Sequence, residues 1–166
     1  MRCLALFGMG KMDDYDSEYK YMTSACTGNV IPIAKLDDTI YSTGVLGDGY
    51  AVITESNEVY SPVSGIIEKI SNNGHSYNII SDDGLKVLVH IGKDSKCDDI
   101  MPAEPKLDMK ETVEQGQLLC RINCKSSDKD NKCTVEVVAS NSDKFEVFEV
   151  KAQNVLDVKC GVLRYK

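Results

Sequence analysis

Two histidines, His75 and His90, are the residues of this chain best suited to chemistry, and both flank one predicted hairpin. Near neutral pH an imidazole can serve as nucleophile, proton donor or metal ligand. A two-residue turn at Asp82-Asp83, or a four-residue loop over 81–84, pairs Ile80 with Leu85 and His75 with His90. Directly opposed residues have Cβ atoms about 4.5–5.5 Å apart, so the two rings would share one face. A turn at Asp83-Gly84 sets His90 opposite Tyr77 and diagonal to His75, on the same face. A three-residue loop instead puts the pair on opposite faces unless a bulge restores the register. Around His90 stand Leu88, Val89 and Ile91, followed by Gly92, which admits close approach of another molecule. Asp94 lies four residues further on, and Asp38 opens a second acidic segment. A histidine ringed by apolar side chains, with acids at the rim, suits docking of a basic protein.

The elements that must carry these residues read as strands. Short β-branched runs occupy 29–34, 50–54, 58–60, 65–70, 76–80, 85–91, 118–122, 134–140, 145–151 and 163–165. Turn residues separate them, among them Asn72-Asn-Gly74 and Asp82-Asp-Gly84. Many short strands without a long amphipathic helix predict an all-β antiparallel sandwich or barrel. Only 105–113 offers a short helical pattern. The stretch CTGNVI at 26–31 echoes VSGIIE at 63–68, which suggests a sheet built by duplication. Residues 1–24 read as an N-terminal appendage, frayed or briefly helical, before a single domain over 25–166. The polar stretch 124–132 reads as a solvated loop.

Composition limits what such a domain can do. The 166 residues carry 19 Lys and Arg against 26 Asp and Glu, a formal charge of −7. That balance argues against a nucleic-acid partner or an anionic membrane surface. The apolar run at 3–7 is too short for a signal peptide and acids follow it, so no secretion and no stable membrane insertion is expected. Seven scattered cysteines with no CxxC pair read as reduced thiols in a cytoplasmic protein.

The stretch from Leu46 to Ser95 resembles the glucose-type enzyme IIA of the bacterial phosphoenolpyruvate-dependent sugar phosphotransferase system. The matching text is LGDGYAV at 46–52, SPVSGIIEKI at 61–70, GHSYNI at 74–79 and LVHIGKDS at 88–95. A weaker likeness runs from Cys26 to about Gly161. The resemblance implies a β-sandwich or barrel of the barrel-sandwich hybrid, duplicated hybrid motif type. It implies that His90 accepts a phosphoryl group from the phosphocarrier HPr and passes it to an enzyme IIB domain of a sugar permease. His75 would then stabilise the phosphoryl oxygens, and Asp38 and Asp94 would receive the carrier's arginine, with Ile40, Tyr41 and Leu88 as neighbouring partner contacts. For that transfer Nε2 of His90 must be a free lone pair, so Nδ1–H should be held, and a backbone carbonyl is the expected holder. No metal is required in principle. Where the family has Thr-Asn before its first histidine this chain has Asn73-Gly74, and Lys93 and Lys96 replace apolar residues after the second.

Other readings compete. A regulatory module of the same fold, binding regulatory targets without turnover, is favoured by Lys93 and Lys96. A metal-dependent hydrolase would place zinc at His75 and His90, with Asp94, Cys97 or a partner's carboxylate completing the three protein ligands that catalytic zinc requires. A biotinyl or lipoyl carrier would use Lys110, which lacks the flanking residues of a modified hairpin tip.

Overall fold

The computed structural model describes residues 18–37, 40–92, 104–122 and 133–166, so Asp38, Asp94, Lys93, Lys96 and Cys97 lie outside the described residues, as does the loop expected over 124–132. Fourteen strands are described: β1 Lys20–Thr23, β2 Gly28–Pro32, β3 Asp48–Thr54, β4 Glu58–Tyr60, β5 Gly65–Ile70, β6 Ser76–Ser81, β7 Lys86–Ile91, β8 Glu104–Pro105, β9 Thr112–Val113, β10 Leu118–Arg121, β11 Cys133–Ala139, β12 Phe148–Val150, β13 Gln153–Val155 and β14 Gly161–Tyr165. The architecture is all-β and antiparallel. An eight-stranded sheet runs β13-β2-β3-β11-β7-β6-β5-β9, and two three-stranded sheets, β1-β14-β12 and β4-β10-β8, complete it. The main core forms where Val52, Val89, Ile91, Val135 and Val137 of the large sheet meet Val59, Leu119, Val162 and Leu163 of the smaller ones.

The central strand β11 is buried on both sides. Val135, Val137 and Ala139 belong to the main core, while Val138 joins Ile33, Leu36, Tyr41 and Ala51 in a second cluster on the opposite face. That second face carries the site. A strand covered on both sides reads as a near-continuous apolar run, and Val135-Glu-Val-Val-Ala139 breaks that rule at one residue, Glu136.

The suspected duplication has a structural counterpart. Ser24 Oγ donates to the Cys26 carbonyl at 2.6 Å, and Ser61 Oγ donates to the Val63 carbonyl at 2.7 Å. The backbone bonds Thr23 N–H to Pro62 O and Tyr60 N–H to Ala25 O are exchanged by the same shift. Two copies of a small-residue turn therefore face each other across a local pseudo-two-fold axis, each feeding one strand of the large sheet.

The last residues of the segment expected as an appendage lie within the sheet. Lys20–Thr23 pairs with β14, Met22 and Ser24 are wholly buried, and the Tyr50 hydroxyl donates to the Thr23 carbonyl at 2.6 Å while accepting from Ala25 N–H at 3.1 Å. The acidic, tyrosine-rich text hid this, because β1 supplies only the two apolar contacts an edge strand needs. The helical pattern over 105–113 is not a helix. Lys110 adopts a left-handed conformation (φ 69°), its N–H bonds to the Ile67 carbonyl at 2.7 Å, and Ile67 N–H returns a bond to Glu111 O at 3.0 Å. The segment satisfies most of its backbone on β5 and β10 rather than in a helical ladder.

The reduced-thiol expectation is corrected at two positions: Cys133 and Cys160 are disulfide-bonded. Spacing along the chain does not reveal which thiols a β fold brings into reach. Cys26 and Cys120 are free and buried, and burial pushes their thiols up to about 12 and about 11.

Asp83, in the turn between β6 and β7, ties that turn to both terminal strands. Its carboxylate accepts from the Tyr165 hydroxyl at 2.9 Å and pairs with Lys20 Nζ at 3.0 Å, and Ser81 also donates to it. Burial raises the Asp83 carboxyl, but the Ser81, Lys20 and Tyr165 bonds with the Lys20 charge outweigh it, and the net shift is downward. A carboxyl depressed by folding stabilises the native state above its ordinary value of about 3.9 and loses that contribution as pH falls through the folded value. Asp83→Asn should therefore cost about 1–2 kcal/mol at pH 7. The gap to wild type should close below about pH 4, as urea melts across pH would show.

Candidate functional site

The hairpin carrying the histidines closes on a three-residue loop. Ser81 N–H donates to the Leu85 carbonyl at 2.9 Å and Gly84 N–H to the Ser81 carbonyl at 3.0 Å, with Gly84 left-handed (φ 86°). A type I turn followed by a left-handed residue is a standard three-residue hairpin connection. The register that follows sets Ser76, not His75, opposite His90, and Ile80 opposite Lys86. The expected cross-strand pairing of the two histidines is thus corrected by one residue. His75 lies just outside β6, where strand alternation no longer dictates its direction. Its carbonyl accepts from Ile91 N–H at 2.7 Å, so the ladder seats its backbone beside the residue next to His90.

On β7, residues alternate between two faces: Val87, Val89 and Ile91 enter the main core, while Leu88 and His90 face the second cluster. The His90 side chain keeps 25% of its surface exposed. Tyr41 is buried and lies over it, with ring centroids 5.3 Å apart and planes tilted by 32°. Leu88 is half-buried against the second cluster, and Ile40, next to Tyr41 in sequence, is 55% exposed. Of the predicted partner contacts, Tyr41 thus lies against the His90 ring, Leu88 packs on the second cluster, and Ile40 offers exposed apolar surface.

The hold on Nδ1 of His90 differs from the expected backbone carbonyl. It is a side chain: Glu136 Oε2 lies 3.1 Å from His90 Nδ1. The register explains the meeting, since Glu136 on β11 stands directly opposite His90 on β7. The Glu136 side chain has no exposed surface. Burying a carboxylate costs several kcal/mol unless a partner compensates, and a charged residue inside an otherwise apolar central strand was the one signal in the sequence that could have found it.

His75 is oriented through its own loop. Ser71 Oγ donates to Asn73 Oδ1 at 2.8 Å, and the same oxygen accepts from His75 N–H at 3.2 Å. Those bonds fix the Asn73 amide, so its NH2 group faces His75 Nδ1 at 3.2 Å. An amide NH2 only donates, which makes His75 Nδ1 the acceptor and leaves the proton on Nε2. Asn73→Ala should free the His75 ring to change tautomer, visible in its nitrogen-15 resonances, with the melting temperature little changed in a thermal melt.

Among the described residues no group of three or more His, Cys, Asp or Glu is placed to hold a metal ion. None of the helices among them is long and apolar enough to cross a membrane.

Residues 20–145 match the family model described as phosphoenolpyruvate-dependent sugar phosphotransferase system, EIIA 1. Among solved structures, the glucose permease IIA from Mycoplasma capricolum superposes with a TM-score of 0.72 at 22% identity, over 88% of this chain and 95% of that one. At that identity the likeness bears on the fold, and it agrees with the antiparallel β architecture.

Proposed function

Because the chain belongs to the EIIA 1 family of the phosphoenolpyruvate-dependent sugar phosphotransferase system, a phosphoryl-transfer component of sugar uptake, we propose that His90 is its phosphoryl acceptor. The observation that carries this reading is the ring's anchorage: Nδ1 is engaged by Glu136 and a quarter of the side chain remains exposed. A ring held through one nitrogen presents the other, Nε2, as a lone pair to an incoming phosphorus. The phosphoryl donor is phospho-HPr and the receiver an enzyme IIB domain, and the setting for all three is the cytoplasm.

In the transfer, the bond between phosphorus and the donor's nitrogen breaks as the bond to His90 Nε2 forms. The donor, protonated on its other ring nitrogen, takes the bonding pair and departs as neutral imidazole. Charge on the equatorial oxygens of a loose transition state calls for fixed donors, and the Nε2 proton of His75 is assigned that role on the strength of the resemblance. Tyr41, packed against one side of the ring, and the docking partner exclude water from it. Ile40 offers exposed apolar surface to the basic donor, and the resemblance assigns the donor's arginine to Asp38 and Asp94. The transfer needs no metal in principle, and a zinc ion at His75 and His90 would require a third protein ligand, Asp94, Cys97 or a partner's carboxylate.

Intact-mass spectrometry after incubation with phosphoenolpyruvate, enzyme I and HPr tests the reading. One acid-labile phosphoryl adduct, mapped to His90, is the expected result. No adduct with a competent HPr would sink the carrier role and favour a regulatory module.

A further inference from the structure

We propose that Glu136 is the positioning residue for His90, holding its Nδ1 proton so that Nε2 alone is nucleophilic, and supplying the negative charge that the phosphorylated ring requires. The inference rests on the acceptor role given to His90 above. Three observations carry it. Glu136 stands directly opposite His90 in the ladder, with Oε2 3.1 Å from Nδ1. Its side chain has no exposed surface, so the contact is not diluted by water. And it is the lone charged residue between Val135 and Ala139, in a strand that otherwise contributes only apolar groups to two buried clusters.

Chemistry follows from these. A carboxylate accepts hydrogen bonds and cannot donate one, so the shared proton sits on Nδ1 and the lone pair on Nε2. When Nε2 takes the phosphoryl group, Nδ1 keeps its proton and the ring becomes a cation. A backbone carbonyl could hold the same proton, but only a carboxylate offsets that charge by a full unit, and its burial makes the interaction stronger than it would be in water. The ring is pre-oriented as well, flanked by Glu136 through Nδ1 and by Tyr41 on its face. Carboxylate–histidine pairs act in this way at metal centres and in hydrolytic triads, and loss of the carboxylate there costs 10-fold or more.

The test uses the full chain with nitrogen-15 in its histidines. In wild type at pH 8 the His90 resonances should show a protonated Nδ1 and a bare Nε2. Glu136→Gln is isosteric and retains an accepting oxygen, so the tautomer should persist while phosphoryl acceptance from HPr slows about 10–100-fold. A merely structural role would lower the melting temperature and leave the rate per folded molecule unchanged. Glu136→Asp, which restores the charge on a shorter arm, should recover part of the rate. A wild-type His90 protonated on Nε2, or Glu136→Gln protein working within twofold of wild type, would overturn the proposal. Absence of phosphate on wild-type His90 would refute the acceptor role separately, because the tautomer measurement reports the Glu136 contact without any transfer.

Discussion

His90→Ala should take up no phosphoryl group at all, where wild type takes up one. The loss is total rather than graded because the variant removes the atom to which phosphorus bonds, and the neighbouring groups cannot replace it. His75 is the other imidazole, but its Nδ1 is occupied by the Asn73 amide and its Nε2 carries the proton, so it lacks a free lone pair in that state. His75→Gln offers the contrast. It keeps an N–H donor near the phosphoryl oxygens and should still form the adduct, at a rate lower by about 10²-fold. His90→Ala should also lower stability, by about 3–5 kcal/mol, because it takes away the imidazole paired with the buried Glu136 carboxylate. Measuring adduct mass beside a thermal melt separates the two effects. A phosphorylated His90→Ala protein would move the acceptor elsewhere.

Gly49→Ala is the second large effect, and it acts on the fold. Gly49 lies in β3 opposite Val138 of β11, and an added Cβ would stand 1.9 Å from the Val137 carbonyl oxygen and 2.9 Å from the Val138 Cα. Neither atom belongs to a flexible side chain, so the two central strands must part. Overpacking of a tight interior costs about 1–3 kcal/mol when side chains can give way, and here the obstacle is backbone, so about 3 kcal/mol or more is expected. Urea unfolding should show a lower midpoint with an unchanged slope. Because β11 carries Glu136, the surviving folded protein should also accept phosphate more slowly. An alanine variant as stable as wild type would mean that β3 and β11 are not packed as described.

Much of this was legible in the residues. The runs at 58–60 and 65–70 are strands with the bounds the sequence suggested, and His90 falls on the exposed alternation of its strand because Val87, Val89 and Ile91 claim the other face. What escaped notice has physical reasons. The hairpin register turned on whether Gly84 would act as the left-handed residue of a three-residue loop, and Asp-Asp-Gly permits several turns. The short strands β8, β9 and β13 are made by pairing with neighbours rather than by their own composition. Glu136 was passed over because its partner is 46 residues away in sequence and becomes its neighbour only when β7 and β11 pair.

The pairing of β1 with β14 joins Lys20 to Tyr165, and both residues grip the Asp83 turn that closes the hairpin bearing His90. Contacts of such long range are the last to repay the entropy of loop closure and are associated with slow folding. A nascent chain therefore cannot complete this clasp until residue 165 has emerged from the ribosome. The hairpin that presents the histidine is synthesised well before the strand that fastens it, so its final setting waits on the translation of β14.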